Sequence, residues 1–249
     1  MGLVQYFETF GYKFYEKISG KISYEKPVIG QFCWAPVLHI DEIPQILDVE
    51  RKDPRAQLEG KFIVRNMKSD DFRSKDRLPL KLLKLRDRQE AVIRKASKRP
   101  CVVLHYGETL YGDIDKILPS MGRKHLQRKK NMVILPLYGV HDDKNHLGGF
   151  PPIMVARIRA MMFDQFLFFP KDKHSPLTLD SIGRIDDIQV TINNHPSCDF
   201  ESYKVTEDYL SVILSMIKRW FNLEIDEDFE ALVKICNEAC PDEALPKAC

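Results

Sequence analysis

The sequence predicts an α+β fold, with short strands through most of the chain and amphipathic helices at its end. Short runs rich in β-branched and aromatic residues, bounded by Gly, Pro and Asn, recur between positions 30 and 190. From Val205 onward the apolar residues switch to helical spacing. The chain has 249 residues, 44% of them hydrophobic, enough to bury an ordinary core as one large domain or two small ones.

Charge narrows the function classes. Charged residues make up 30% of the chain, yet the net charge is only +2. A whole-chain electrostatic case for nucleic acid therefore fails, and only local asymmetry can carry one. No apolar run reaches the roughly 18 residues that suggest a membrane span, and residues 1–20 mix Glu8 and Glu16 with aromatics and lack a small-residue cleavage site. A cytoplasmic protein without membrane contact is expected. The six cysteines (Cys33, Cys101, Cys198, Cys236, Cys240, Cys249) show no zinc-site pairing, and no two of the seven histidines stand at a ligand spacing. Cys33 and Cys101 read as small core residues, and reduced thiols, no metal and no cofactor are expected.

Taken in order, residues 2–18 space Val4, Phe7, Phe14 and Ile18 roughly as a helix, interrupted by Gly11. Residues 30–35 read as a strand, and so do residues 62–64. Residues 78–85 alternate at Leu78, Leu80 and Leu82 and suggest a hairpin partner across a loop at 68–76. Between Lys68 and Arg99 twelve basic residues face five acidic ones, a local patch of +7. Such a run is a solvated face or a nucleic-acid contact.

Next comes Lys98-Arg99-Pro100-Cys101-Val102-Val103-Leu104-His105. Proline fixes φ and lacks a donor, so Pro100 suits the first residue of a strand. The unbroken apolar run after it reads as a strand buried on both faces. Arg99 then sits at the strand mouth, where its planar fork suits a phosphate or carboxylate, or an acid on a neighbouring strand. His105 lies six residues on, on the order of 20 Å away along a strand, too far to share one site simply. Residues 106–130 read as a loop that ends in the basic run Arg123-Lys124-His125-Leu126-Gln127-Arg128-Lys129-Lys130.

Residues 131–137 form a further strand that Pro136 should end or bulge. After a polar loop with Gly148-Gly149 and Pro151-Pro152, residues 153–159 and 163–169 are strand candidates. Residues 177–190 alternate weakly, with Asp186-Asp187 as a turn. Thr206 then caps a helix whose one face carries Leu210, Ile213, Leu214, Ile217, Trp220 and Phe221. An acidic helix at about 227–239 repeats the pattern with Phe229, Leu232, Val233 and Cys236.

In that order, Gly30-Gln31-Phe32-Cys33-Trp34-Ala35-Pro36, Lys98-Arg99-Pro100-Cys101-Val102-Val103-Leu104, Met132-Val133-Ile134-Leu135-Pro136-Leu137, Leu179-Asp180-Ser181-Ile182-Gly183-Arg184-Ile185-Asp186-Asp187-Ile188-Gln189 and the C-terminal amphipathic helix resemble the MazF/PemK-like toxins. The resemblance covers 27–40 and 90–222. It implies a small SH3-like β-barrel closed by a C-terminal helix over 27–222, interrupted by an insertion at 41–89. An N-terminal helix (1–26) and an acidic helix or tail (223–249) flank it. It also implies a metal-independent endoribonuclease that cuts single-stranded RNA with the adjacent 2′-hydroxyl, toxin-like, as a homodimer held by an antitoxin-like protein.

The family's arginine falls on Arg99, the phosphate clamp. Its hydroxyl residue falls on Tyr138, a bulkier group whose phenol could donate to phosphate or stack a base. His141, just beyond, is the candidate acid–base group. Lys95, Lys98, Arg123, Lys124, Arg128, Lys129 and Lys130 would form the RNA track. The alternative is a catalytically inactive module of the same type that binds a protein partner or nucleic acid.

Overall fold

The computed structural model describes the chain apart from residues 1, 21, 24–25, 51–60, 70, 73–88, 108–111, 124–130, 142–148, 194–196 and 246–249. It is a mixed α+β protein divided into two units, Met1–Pro36 with Lys98–Cys249, and Val37–Ser97. The chain runs α1 (Leu3–Phe10), β1 (Tyr15–Lys17), β2 (Gln31–Leu38), β3 (Gln45–Glu50), β4 (Lys61–Asn66), β5 (Ala91–Ile93) and β6 (Ala96–Tyr106). It continues through α2 (Gly112–Ser120), β7 (Asn131–Gly139), α3 (Pro152–Arg159), β8 (Phe166–Phe169), β9 (Ser181–Arg184), β10 (Gln189–Ile192) and β11 (Asp199–Val205). Helices α4 (Glu207–Trp220) and α5 (Glu227–Glu238) close it.

In the larger unit the strands follow the order β1-β11-β2-β6-β7-β9-β8, with β10 beside β7. Pairing is antiparallel at β1–β11, β11–β2, β6–β7, β7–β9, β9–β8 and β7–β10. Among the described residues the ladder does not return from β8 to β1.

Pro100 and Pro136 both lie inside their strands, contrary to expectation. Strand β6 already begins at Ala96, so Pro100 is interior and Arg99 is not at a strand mouth. Strand β7 runs through Pro136 to Gly139. The reason is a change of partner. Residues 131–134 of β7 pair with β10 and residues 137–139 pair with β9. Pro136 falls in the gap between these two partners while standing opposite Cys101 of β6, a position that tolerates the missing N–H.

Three other expectations are corrected. The helix expected over 2–18 stops at Gly11, whose φ of 74° forms a left-handed cap, and the chain re-enters as β1. The loop at 106–130 contains α2. Residues 153–159 form helix α3 rather than a strand, because Pro151 and Pro152 sit at its N-terminal cap and first turn, where no donor is needed.

The core gathers Leu3, Phe7, Phe32, Val102, Leu135 and Phe169 against α4 and α5. Thr206 caps α4 by accepting from the Tyr209 N–H, and Asp226 caps α5 by accepting from the Phe229 N–H. On α4 the buried residues are Tyr209, Val212, Ile213, Ser215 and Met216, while Leu214, Trp220 and Phe221 are exposed. The apolar stripe is thus turned by one residue from the expected one. Tyr209 decides the phase: it is fully buried and its hydroxyl donates to the Phe168 carbonyl. On α5, Phe229, Leu232, Val233 and Cys236 are all buried, as expected.

The smaller unit is a sheet of order β4-β3-β5. Arg65 on β4 donates to Asp48 at 2.8 Å and through both terminal nitrogens to the buried Asp71 at 2.9 and 2.7 Å. This bidentate clasp ties the 67–72 turn to the sheet. The strand expected at 78–85 lies outside the described residues. Cys33, Cys101, Cys198, Cys236 and Cys240 are buried free thiols. No described helix is long and apolar enough to cross a membrane.

Candidate functional site

Register brings the two principal candidates together. Cys101 on β6 pairs with Pro136 on β7, and two further antiparallel steps set Arg99 opposite Tyr138. The Arg99 guanidinium carbon lies 4.3 Å from the centre of the Tyr138 ring. On the other neighbour of β7, at the end of β9, the Arg184 guanidinium carbon lies 5.4 Å from the same ring. A tyrosine face attracts cations through its quadrupole, so one ring holds two guanidinium groups near each other despite their like charge.

The phenol end is fixed as well. After β9 a tight turn at Ile185–Asp187 carries Asp187 into the interior, where it is 1% exposed. The Tyr138 hydroxyl donates to Asp187 Oδ2, and Gln189 Nε2 donates to Asp187 Oδ1 at 2.7 Å. Burial first, and then the Asp187 hydrogen bond and charge, raise the Tyr138 pKa, while the two arginines pull it down. The phenol keeps its proton and directs it at the carboxylate.

The two arginines are not equivalent. Arg184 is held by Asp186, with Nε to Oδ1 at 3.2 Å and a terminal nitrogen to Oδ2 at 2.8 Å. Arg99 is half-buried, and among the described residues no carboxylate pairs with it. Its Nε is buried, with no acceptor among the described residues. A buried donor left unpaired is costly, so the Arg99 guanidinium holds hydrogen-bonding capacity that no described side chain uses. Arg99, Tyr138, Gly139, Phe150, Phe166 and Arg184 line one cleft of about 240 Å³.

His141 is exposed and lines a separate cavity of about 960 Å³ between α1, α3 and the 170–174 segment. Lys95 belongs to the smaller unit and pairs with Glu42 at 3.0 Å. Lys98 pairs with Asp199. Arg123 is exposed just past α2. Lys124, Arg128, Lys129 and Lys130 lie outside the described residues. The described residues therefore join Arg99 to Tyr138 in one cleft and place His141 at another.

Arg184, Asp187, Gln189, Phe150 and Phe166 were not singled out from sequence. The Asp186-Asp187 pair was visible as a turn, but nothing local showed that one of the two carboxylates would be buried under Tyr138.

The chain was compared with family models, curated proteins and solved structures. It matches none of them.

Chemically, the cleft offers a fixed cation with unused donors, an aromatic wall and a phenol–carboxylate pair. That set suits a phosphodiester, whose anionic oxygens take the guanidinium and whose neighbouring hydroxyl can give up a proton.

Proposed function

We propose that the protein is a MazF/PemK-like endoribonuclease that cuts single-stranded RNA without a metal, on the small SH3-like barrel that the strand motifs imply. The observation that carries this is the Arg99 guanidinium, without a carboxylate partner among the described residues, stacked on a tyrosine whose hydroxyl is bound to a buried carboxylate. Arg99 clamps the scissile phosphate and neutralises the charge that grows on it.

The 2′-oxygen attacks the adjacent phosphorus and the bond to the 5′-oxygen breaks, leaving a 2′,3′-cyclic phosphate and a 5′-hydroxyl. The 2′-hydroxyl proton goes to the Tyr138 oxygen as the phenol proton passes to Asp187 Oδ2. Water protonates the departing 5′-oxygen, and the relay then runs backward: Asp187 returns its proton to the Tyr138 oxygen as the phenol releases its own to the cleft solvent. In this scheme Tyr138 replaces a simple hydroxyl donor with a relay, and Asp187 takes the general-base role first assigned to His141. A homodimer and an antitoxin-like partner belong to the same proposal.

The test is cleavage of unstructured RNA by the purified protein in EDTA. Arg99→Ala should abolish cutting and weaken RNA binding. Asp187→Asn should retain RNA affinity and lower turnover by about 10²-fold or more. Absence of cleavage by a folded, untagged sample would overturn the nuclease proposal.

One observation favours a second reading, a module that binds RNA without cutting it. The phenol proton is already committed to Asp187, whereas a catalytic hydroxyl is ordinarily free to act on substrate. In that case RNA binds in a salt-dependent manner, no cyclic phosphate forms, and Asp187→Asn changes neither result.

A further inference from the structure

A second reactive cluster stands in the smaller unit, on residues that the RNA chemistry does not use. Backbone pairing sets it up. The His39 N–H donates to the Lys95 carbonyl at 2.9 Å, which holds the residue after β2 against the residue before β6. From there the His39 ring reaches Ser97 on β6, with Nε2 and the serine Oγ 2.8 Å apart. The other ring nitrogen, Nδ1, faces Glu42 Oε1 at 4.0 Å, and Lys95 Nζ holds that same oxygen at 3.0 Å. All four residues belong to the one unit.

The sequence of groups is hydroxyl, imidazole, carboxylate. A carboxylate beside Nδ1 favours the ring proton there and leaves Nε2 as the acceptor for the Ser97 hydroxyl. At 4.0 Å the Glu42 contact is electrostatic rather than a hydrogen bond, and contacts of this kind tighten when substrate binds. Lys95 anchors the carboxylate in turn. The His39 and Glu42 side chains are 33% and 47% exposed, and Ser97 is half-buried on its strand. The cluster is thus open to solvent while β6 fixes the hydroxyl.

A serine hydroxyl is a weak nucleophile as long as it keeps its proton, and a base within hydrogen-bond reach takes that proton as the new bond forms. We propose that Ser97 is an activated nucleophile that accepts an acyl group from a carboxylic ester, with His39 as its base and Glu42 as a positioning residue. The Ser97 oxygen attacks the ester carbonyl as its proton passes to His39 Nε2. The bond from the carbonyl carbon to the alcohol oxygen breaks, and His39 gives the proton to that departing oxygen. Water then attacks the acyl-serine and gives a proton to the same ring, which returns it to the Ser97 oxygen as the acid leaves. This is acyl transfer, and it stands or falls separately from the phosphoryl chemistry at Arg99.

The experiment mixes the full-length protein with 4-nitrophenyl acetate and follows nitrophenolate release. Acid-quenched samples are mapped by peptide mass spectrometry. The wild type should release a burst approaching one equivalent and carry acetyl on Ser97. Ser120 is the internal control: it is an exposed serine whose hydroxyl donates to the Ile117 carbonyl at 2.7 Å, and it should stay unmodified. Ser97→Ala should abolish the burst. His39→Ala should slow acylation by about 10²-fold or more. Glu42→Gln should lower the acylation rate at saturating ester and leave the half-saturating concentration unchanged, a split that a merely structural role would not produce.

No acetyl on Ser97, or acetylation of Ser97 no faster than that of Ser120, would overturn the proposal. So would a Ser97 adduct that forms at the wild-type rate without the imidazole. Thermal melts check folding. Should His39→Ala not fold, His39→Gln decides the matter, because it keeps an acceptor for the Ser97 hydroxyl without a basic nitrogen.

Discussion

Tyr138→Phe separates the two jobs given to that residue. The ring stays, so the stack under Arg99 at 4.3 Å is kept, and only the hydroxyl that donates to Asp187 is lost. Asp187 is then a buried carboxylate that keeps Gln189 as its side-chain donor among the described residues. A hydrogen bond to a charged group is worth about 1.5–3 kcal/mol. In a protein of this size each kcal/mol moves the melting temperature by about 2–4 °C, so Tyr138→Phe should melt about 3–12 °C lower. Tyr138→Leu should fall further, since it also removes a cation–π contact worth about 0.5–2 kcal/mol. In an Arg99→Ala background the gap between the Phe and Leu variants should shrink by about that amount. The alkaline limb supplies an independent check. Tyr138 has a folded pKa raised above its ordinary value of 10, so its contribution is complete below pH 10 and is lost as pH climbs toward the folded value. Above pH 10 the wild type should lose stability with a slope up to one proton steeper than Tyr138→Phe. Differential scanning calorimetry from pH 7 to 11 measures both. A Tyr138→Phe melt within 1 °C of wild type, together with an unchanged alkaline slope, would refute the claim that Asp187 holds the phenol.

Two further predictions concern the frame around the site. Thr206 caps α4 and also donates its hydroxyl to the Lys13 carbonyl at 2.6 Å. Thr206→Ala should cost about 1–2 kcal/mol by chemical denaturation and Thr206→Ser almost nothing, so equal losses would count against the cap. In the smaller unit, Asp71→Ala strips Arg65 of its bidentate partner and leaves it Asp48 and the Asn66 carbonyl. A loss of about 3 kcal/mol is expected, seen as faster hydrogen exchange at amides 61–72, and unchanged exchange there would contradict the clasp.

Legibility followed the range of the interactions. The α5 face was readable because it depends on spacing within one twelve-residue helix, on Phe229, Leu232, Val233 and Cys236. The α4 face was not, since two stripes one residue apart satisfy the same period. The choice fell to a long-range bond from Tyr209 to Phe168. Residues 153–159 carry strand-forming Ile and Val, yet the Pro151-Pro152 pair before them already held the helix-start signal.

The site divides the same way. Arg99 and Tyr138 were both identifiable from their motifs, and their meeting follows from one register, Cys101 against Pro136. That register places Pro136 where β7 exchanges β10 for β9, and the exchange needs the turn at Ile185–Asp187 between those two strands. The turn in turn delivers Asp187 to the Tyr138 hydroxyl. A proline that reads in sequence as a strand terminator is therefore the feature that leaves room for the buried carboxylate. Replacing the short hydroxyl of the resembled motif with tyrosine fits this geometry, because only a longer side chain at position 138 spans from the Arg99 cleft to the carboxylate beneath.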